Sequence, residues 1–269
     1  LFSEDKYGYF GFRKLDNLKK MKISIITVCY NSEDTLEKTI NSVISQDYKN
    51  IEYIIIDGGS NDDSLDIINK YKDKITTIVS EKDKGIYDGI NKGIQKATGD
   101  VISLIHANDI FANKNVISKI VNFFERSPSF DIILADLAFK KSLDDNKITR
   151  YYSAKNFKPW MLRIGYSPPH LSAFFRIGVF KQVGFYSTNF KIAGDFDYFV
   201  KCFLKHKLKF YYLEECLIFM STGGISGKNI LSYLTSSKEI NESLKSNNIY
   251  SNIFLTFFRF PIKLIQLIL

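Results

Sequence analysis

The stretch Lys22–Cys29, K-I-S-I-I-T-V-C, decides the fold class of this chain. It is short, rich in β-branched residues and apolar almost throughout, which is typical of a strand buried on both faces of a parallel sheet. Capping side chains follow at Asn31–Asp34, and apolar residues then recur at helical spacing from Leu36 to Ile44. The segment therefore predicts a buried strand followed by an amphipathic helix.

The same alternation continues along the chain as far as about Lys140. Strand patterns occur at Ile51–Ile56, Ile75–Val79, Val101–Ile105 and Asp131–Leu137, and helical patterns at Asp62–Tyr71, Ile86–Ile94 and Val116–Phe124. Strands that alternate with helices through short connections predict an α/β fold with a doubly wound, mostly parallel sheet.

The second half has a weaker pattern. Lys140–Thr149 is predicted to be a charged loop and Tyr151–Gly165 to be irregular, and one more amphipathic helix is expected from Phe196 to Phe203. Because no repeat or low-complexity linker divides the chain, this half is expected to continue the same domain.

Composition narrows the class of protein. The chain has 269 residues, of which 45% are hydrophobic, enough for one α/β domain and a modest appendage. Its three cysteines are scattered and form no C-x-x-C pair, so we expect neither a disulfide framework nor a zinc knuckle, and a reducing compartment. The net charge of +8 comes without an Arg-rich run or a nucleic-acid motif, so no nucleic-acid partner is expected. Leu1–Lys20 lacks the apolar core of a signal peptide and is treated as an extension before a domain that begins at Met21.

Polar or glycine-rich breaks follow three of the predicted strands, at Thr27–Asn31, Asp57–Ser60 and His106–Asp109. In an open parallel sheet, ligands bind beyond the carboxyl ends of the strands, where the strand order reverses. A tyrosine there can stack on a base, an aspartate can accept from a base N–H, and glycines let the backbone approach a ligand. Each break is also compatible with an ordinary turn. No G-x-G-x-x-G or G-x-x-x-x-G-K-[ST] motif is present, which argues against dinucleotide enzymes and P-loop NTPases.

Several segments in a fixed order resemble the inverting GT-A glycosyltransferases of family 2. They are Ile23–Asn31, Ser42–Asp47, Ile54–Ser60, Glu81–Gly93, Ala97–Asp109, Pro169–Ser172 with Phe175–Arg176, Gly184–Phe185, Ala193–Asp197 and Gly223–Ser226. The stretch E-K-D-K-G-I-Y-D within Glu81–Gly93 resembles the branch of the family that builds bacterial surface polysaccharides such as O-antigen and capsule. The resemblance implies a GT-A domain at 21–227, with a donor half at 22–109 and an acceptor half at 110–227. Residues 1–20 are expected to lie outside the core, and 228–269 is expected to form a helical, apolar tail that is either membrane-associated or packed on the domain.

The resemblance implies that the donor is a nucleotide sugar, most often a UDP-sugar. The residues expected to bind its base, ribose, diphosphate or sugar are Thr27, Tyr30, Asp57, Gly58, Ser60, Asp83, Gly85, Tyr87, Asp88, Asn91, Asn108 and His170. His170 follows two prolines and is equally compatible with a simple turn residue.

Asp109 is expected to bind a divalent metal, Mn²⁺ or Mg²⁺, as the acidic residue of the family's D-x-D-like motif. The sequence departs from the family there, because His106, Ala107 and Asn108 stand where further carboxylates are usual. A single carboxylate together with diphosphate oxygens still suits a hard cation. His106 is a metal ligand, a donor to phosphate or a packed histidine.

The general base is expected to be Asp195, in A-G-D-F-D at Ala193–Asp197, with Asp197 as the second candidate. Inversion by direct displacement needs a carboxylate that takes the proton of the attacking hydroxyl. An aspartate at this point also suits a helix N-cap, so the two roles remain open. Gly223–Ser226 either closes over the donor or makes a turn.

The stretch Ile253–Leu269 is apolar but interrupted by Arg259, Pro261 and Lys263. A spanning helix needs roughly 20 largely apolar residues, so we expect an interfacial helix or a helix packed on the domain. Together with the resemblance, this predicts a cytoplasmic enzyme at the inner face of the membrane that extends a lipid-linked glycan. The alternatives are a sugar nucleotidylyltransferase and a nucleotide-sugar-binding protein without catalysis.

Overall fold

The structure is a computed structural model that describes residues 20–221, 230–257 and 259. Its strands are β1 (Ile23–Cys29), β2 (Ile51–Asp57), β3 (Thr77–Ser80), β4 (Val101–Leu104), β5 (Asp109–Phe111), β6 (Ile132–Lys140), β7 (Ile148–Tyr152), β8 (Ala173–Arg176) and β9 (Phe210–Ser221). Its α-helices are α1 (Leu36–Ile44), α2 (Ser64–Lys70), α3 (Ile86–Lys96), α4 (Val116–Arg126), α5 (Ile177–Val183), α6 (Gly194–Phe199), α7 (Ile230–Ser246) and α8 (Ile253–Phe257). Short 3₁₀ helices lie at Lys72–Lys74 and Pro159–Ile164, and a π-helical turn at Val200–Lys205 continues α6.

All nine strands of the described chain belong to one sheet, in the order β3-β2-β1-β4-β8-β6-β9-β5, with β7 paired to β6. The first four in that order are parallel, which confirms the doubly wound prediction for the amino-terminal half. The chain starts at β1, moves outward to β3, and returns to the other side of β1 as β4. The strand order therefore reverses between β1 and β4, where open sheets bind ligands.

The helix α3 packs unusually close to the sheet. A Cβ atom at Gly93 would lie 2.4 Å from Cγ2 of Ile26 in β1, so only glycine fits at that contact. Ile90 and Ile94 of the same helix are buried against the strands. This contact holds the amino-terminal end of α3 at the ligand-binding edge.

The carboxyl-terminal half extends the same sheet. β8 is antiparallel to β4 and β6, β9 is parallel to β6, and β5 and β7 are antiparallel edge partners, so the sheet is mostly parallel by strand direction. The segment Lys140–Gly165 is more regular than predicted, since β6 reaches Lys140 and β7 follows. The expected helix at Phe196–Phe203 is divided between α6 and the π-helical turn.

The helix α7 packs on α6, and its side chains Ile240 and Leu244 are both buried. α8 lies against the 3₁₀ helix Pro159–Ile164. The expected boundary at 227, the segment Gly223–Ser226 and most of the stretch after Phe257 lie outside the described residues. Within the described part of the chain, no helix combines the length and the apolar character that crossing a bilayer requires.

Candidate active site

The carboxyl ends of β1, β2 and β3 form one edge, which Asp57 organises. Its carboxylate is fully buried and accepts hydrogen bonds from the N–H groups of Gly59 (3.2 Å) and Ser60 (3.1 Å). It also accepts from the hydroxyls of Ser80 (2.7 Å) and Ser60. Tyr30, at the end of β1, is 58% exposed beside this loop. Asp57 thus shapes the loop, and Tyr30 offers an open aromatic face.

Thr27 lies one step inside that edge. Its side chain is fully buried in β1, and its Oγ1 lies 3.1 Å from the hydroxyl of Tyr53. The structure therefore separates Thr27 from the open edge, and its contact with a donor stays a prediction.

The loop before α3 closes over Gly58. A Cβ atom at Gly58 would lie 2.9 Å from Oδ2 of Asp83, so the carboxylate rests on the glycine backbone. Oδ1 of Asp83 accepts from the N–H of Gly85 at 3.0 Å, and Gly85 has a φ of +121° that favours glycine. Asp88 accepts from the N–H of Lys84 at 3.0 Å. Asp83, Gly85 and Asp88 therefore lie together beside Gly58, and their contact with a donor stays a prediction.

Tyr87 and Asn91 instead contact the acceptor half. The carboxamide of Asn91 donates to the carbonyl of Tyr186 and accepts from its N–H, both at 2.9 Å. The hydroxyl of Tyr87 donates to the carbonyl of Ile192 at 2.7 Å. The backbone of Gly194 packs on the Tyr87 ring so closely that a Cβ there would lie 2.6 Å from it. Both residues hold the two halves together, a role that differs from the donor contact expected of them.

The segment after β4 carries two buried polar atoms. Oδ1 of Asp109 and Nδ1 of His106 have no hydrogen-bond partner among the described residues. Burial raises the pKa of the Asp109 carboxyl to about 8, and burial, with a smaller contribution from His170, lowers the pKa of His106 to about 3. Asn108 between them is exposed. Buried polar atoms are normally hydrogen-bonded, so water, an ion or a ligand group is the expected partner of these two atoms.

The donor set around Asp109 is small. No group of three or more His, Cys, Asp and Glu side chains that could hold a metal occurs in the part of the chain that the structure describes. Asp109, with one unpaired carboxylate oxygen, fits a divalent cation that takes its remaining ligands from a diphosphate and water. The unpaired Nδ1 of His106 favours a role as metal ligand or phosphate donor over simple packing, and this role stays a prediction.

His170 connects this segment to the acceptor half. Its Nε2 lies 2.8 Å from the hydroxyl of Tyr186, and its ring packs edge-on against Tyr186 and Phe199. Burial lowers its pKa to about 4, so the imidazole is neutral at pH 7. His170 is thus held in place by Tyr186 and Phe199, and its contact with a diphosphate or an acceptor stays a prediction.

Asp195 lies in the first turn of α6. Its Oδ1 accepts from the N–H of Phe196 at 2.7 Å, and its side chain is only partly buried. Its negative charge contributes to raising the pKa values of the Tyr87 and Tyr186 hydroxyls, after burial. Asp195 therefore acts electrostatically on both tyrosines from a partly buried position.

Asp197, the second candidate for the base, has a different environment. It is 1% exposed, and its Oδ1 accepts from the hydroxyl of Ser243 (2.8 Å) and the amide of Asn247 (2.9 Å). The ammonium of Lys201 lies 2.7 Å from its Oδ2. A carboxylate that is buried and bonded in this way cannot reach an acceptor hydroxyl, which favours Asp195.

Three residues that contact the predicted site residues, namely Tyr186, Glu239 and Asn247, were not predicted from the sequence. Tyr186 follows Gly184–Phe185, a segment of the resemblance, and could have been noticed there. Glu239 and Asn247 bind residues 46 or more positions away, so no local pattern reveals them.

The chain matches the family model Glycosyl transferase family 2 over residues 24–183. An uncharacterised glycosyltransferase of Mycobacterium tuberculosis is 29% identical over 184 residues, which cover 68% of this chain and 69% of the relative. The UDP-Glc:alpha-D-GlcNAc-diphosphoundecaprenol beta-1,3-glucosyltransferase WfaP of Escherichia coli is 39% identical over 109 residues, covering 40% and 43% of the two chains.

Solved structures share the fold. Staphylococcus aureus TarS 1–349 in complex with UDP-GlcNAc superposes with a TM-score of 0.65 at 18% identity, covering 83% of this chain and 66% of the neighbour. Against a longer TarS chain the coverage is 40% of the neighbour. Glucosyl-3-phosphoglycerate synthase of Mycobacterium tuberculosis, solved with Mn²⁺ and UDP, gives a TM-score of 0.59 at 14% identity, covering 86% and 82%. The GT-A-like sheet, the polar residues at its switch point and the match over 24–183 place this chain in glycosyltransferase family 2.

Proposed function

We propose that this protein is an inverting transferase that moves a hexose or N-acetylhexosamine from a UDP-sugar to a lipid-linked oligosaccharide. The observation that carries the proposal is the polar group that lies between the two candidate reactive carboxylates. The backbone N–H of Asp109 donates to the carbonyl of His106, and His170 bonds to Tyr186 at 2.8 Å. His106 is close enough to His170, and Tyr186 to Asp195, for the charge of one to act on the pKa of the other. We propose that the donor places its anomeric carbon between Asp109 and Asp195.

The nucleotide occupies the edge formed by β1, β2 and β3. The exposed Tyr30 ring stacks on the base, since aromatic faces pair well with nucleobases. The Gly58–Ser60 backbone and Asp83 lie where a ribose would pass. Two of the solved neighbours bind UDP or UDP-GlcNAc, which supports uridine as the nucleoside.

Asp109 would hold a divalent metal, Mn²⁺ or Mg²⁺, with His106 beside it. Such an ion neutralises charge on a departing diphosphate, and a solved neighbour contains Mn²⁺. The raised pKa of Asp109 leaves the carboxyl largely protonated at pH 7 when no cation is near. Cation binding must then release a proton, so the affinity for the metal rises with pH up to about 8.

Asp195 acts as the general base. It is partly accessible, lies at the start of a helix, and stands next to the Tyr186–His170 pair. Because His170 is neutral at pH 7, its imidazole can form a hydrogen bond with the acceptor glycan without adding charge to the site. The acceptor hydroxyl loses its proton to the Asp195 carboxylate as it attacks the anomeric carbon, and the diphosphate leaves from the opposite face.

The acceptor is proposed to be carried on a polyprenyl diphosphate. The WfaP relative is named for a diphosphoundecaprenol-linked substrate, and this supports the assignment. Exposed aromatic side chains at Trp160, Tyr250 and Phe254 surround the junction of α8 with the 3₁₀ helix Pro159–Ile164. We propose that the protein works at the inner face of the cytoplasmic membrane with this junction near the lipid.

A transfer assay tests the proposal. The protein is incubated with a panel of nucleotide sugars, Mn²⁺ and a synthetic lipid-diphosphate sugar, and UDP release and glycan product are measured. We expect transfer from a UDP-sugar that Asp195→Asn reduces by at least 100-fold, whereas Asp66→Asn on the exposed face of α2 leaves the rate unchanged. Transfer that persists in Asp195→Asn would refute the base.

Two further outcomes decide between the alternatives. UDP binding without turnover on any acceptor would identify a nucleotide-sugar-binding protein. Diphosphate release from a nucleoside triphosphate and a sugar phosphate would identify a nucleotidylyltransferase. An EDTA-treated protein with full activity would exclude an essential metal at Asp109.

A further inference from the structure

Three polar side chains on one face of α7, or directly after it, are buried. Glu239, Ser243 and Asn247 are spaced four residues apart and are 7%, 0% and 9% exposed. A carboxylate is rarely buried unless it is paired or fully hydrogen-bonded, because burial disfavours the charged form. The partners of these three side chains therefore indicate what α7 holds in place.

Glu239 binds the backbone immediately before the proposed base. Its Oε1 accepts from the N–H of Lys191 at 2.9 Å, and its Oε2 accepts from the N–H groups of Ile192 (2.9 Å) and Ala193 (2.8 Å). Three consecutive amides thus converge on one carboxylate, two residues before Asp195. Hydrogen bonds to a charged acceptor are stronger than neutral ones, so this loop is firmly fixed.

The peptide groups of Ile192 are held from two sides. Glu239 of α7 accepts a hydrogen bond from the N–H of Ile192, while the hydroxyl of Tyr87 in α3 donates to its carbonyl at 2.7 Å. The donor half and α7 therefore meet at the same residue. A shift of α7 would change the position of Asp195 relative to the edge that binds the donor.

The other side of Asp195 is fixed by the same helix. Ser243 and Asn247 both donate to Oδ1 of Asp197, two residues after Asp195. α7 thus contacts the chain both before and after the proposed base, although it begins 35 residues after it in sequence. The carboxylate of Asp195 bonds to the N–H of Phe196, within the segment that these contacts define.

We propose that Glu239 is a positioning residue for sugar transfer, and that α7 sets the place of the Asp195 carboxylate through it. This inference rests on the proposed function, because it takes Asp195 as the base. A catalytic group that is misplaced by about 1 Å can lose about 100-fold in rate. Loss of Glu239 frees three amides to turn towards water, and the Asp195 loop then samples other positions.

The test compares Glu239→Ala and Glu239→Gln with Glu242→Ala, an exposed glutamate on the same helix. For each variant, kcat is divided by the number of UDP-binding sites found by calorimetry, and amide exchange is measured at Lys191–Ala193. We expect Glu239→Ala to lower kcat per site about 10- to 100-fold, with the donor KM within twofold of wild type. Glu239→Gln keeps one acceptor oxygen and recovers part of the rate, and Glu242→Ala matches wild type.

Exchange at the three amides should accelerate in Glu239→Ala, while that of the β1 amides stays unchanged. A kcat per site within twofold of wild type would overturn the proposal, as would a loss explained wholly by fewer UDP-binding sites. A wild-type chain that transfers no sugar would refute the proposed function instead. The contact between α7 and the Asp195 loop would then be judged on amide exchange alone, and unchanged exchange would refute it.

Discussion

The side chain of Asn91 offers the sharpest test of how the two halves are joined. The resemblance implies a donor contact for it, whereas the structure uses both ends of its carboxamide on the backbone of Tyr186. Asn91→Ala removes both hydrogen bonds and leaves a buried N–H and a buried carbonyl without partners. The two interpretations therefore predict different losses, of stability in one case and of donor affinity in the other.

The size of the loss follows from those two backbone groups. An unsatisfied buried donor or acceptor costs about 1–3 kcal/mol, so the pair costs about 2–6 kcal/mol. Alanine is favoured over asparagine within a helix by less than about 1 kcal/mol, which offsets a small part. We expect the free energy of unfolding to fall by about 2–5 kcal/mol, equivalent to a Tm lower by roughly 5–15 °C.

Urea unfolding of wild type, Asn91→Ala and Asn69→Ala measures this loss. Asn69 is exposed on α2, so its replacement should change the free energy of unfolding by less than about 0.5 kcal/mol. The m-value should stay constant, which shows that the same surface unfolds. A loss below about 0.5 kcal/mol for Asn91→Ala, joined to weaker UDP-sugar binding, would show that Asn91 contacts the donor and would refute the structural role.

Three further changes test single residues of the site. Tyr30→Ala should raise the Kd for UDP about 10-fold, since stacking on a base contributes about 1–3 kcal/mol. The Tm should not change, because the ring is largely exposed. Unchanged UDP binding by calorimetry would exclude stacking. Tyr87→Phe removes the bond to Ile192 and should lower kcat about 5-fold with the donor KM unchanged, and a change in KM alone would contradict this. Asp109→Asn should unfold at higher urea than wild type near pH 8 but not near pH 4. The native state keeps the Asp109 proton up to about pH 8, so wild type loses stability as the pH rises from about 4 to 8, whereas asparagine does not titrate. If the free energies of unfolding of wild type and Asp109→Asn change equally with pH across this range, the Asp109 carboxyl ionises normally.

The amino-terminal half of the fold follows from local sequence because its strands are buried on both faces. Apolar runs such as Ile51–Ile56 leave few alternatives to a parallel strand, and the glycine-rich breaks after them mark the binding edge. The later strands give a weaker signal. β8 has only four residues, and β9 is half-buried without a clear alternation, so neither differs much from a loop.

The sequence predicts the position of a site residue well where that residue contacts nearby parts of the chain, and poorly where its partner is distant in sequence. Asp57, Asp83 and Gly85 follow strands or precede a helix, and the structure brings them together at the edge that the sequence predicts. Thr27 and Asn91 have suitable side chains at suitable positions. In the structure Thr27 contacts Tyr53 and Asn91 contacts Tyr186, and no spacing in the sequence reveals these partners.

The choice between Asp195 and Asp197 shows why tertiary contacts decide chemistry. The two aspartates are neighbours in the first turn of α6, and both have the residue type that a base requires. Asp197 is 1% exposed and is bound by Ser243 and Lys201, whereas the side chain of Asp195 is only partly buried. The residues that separate them belong to the chain after the family match ends at 183. Because α7 supplies Ser243, a helix outside the matched region helps to bury one of two similar carboxylates and not the other.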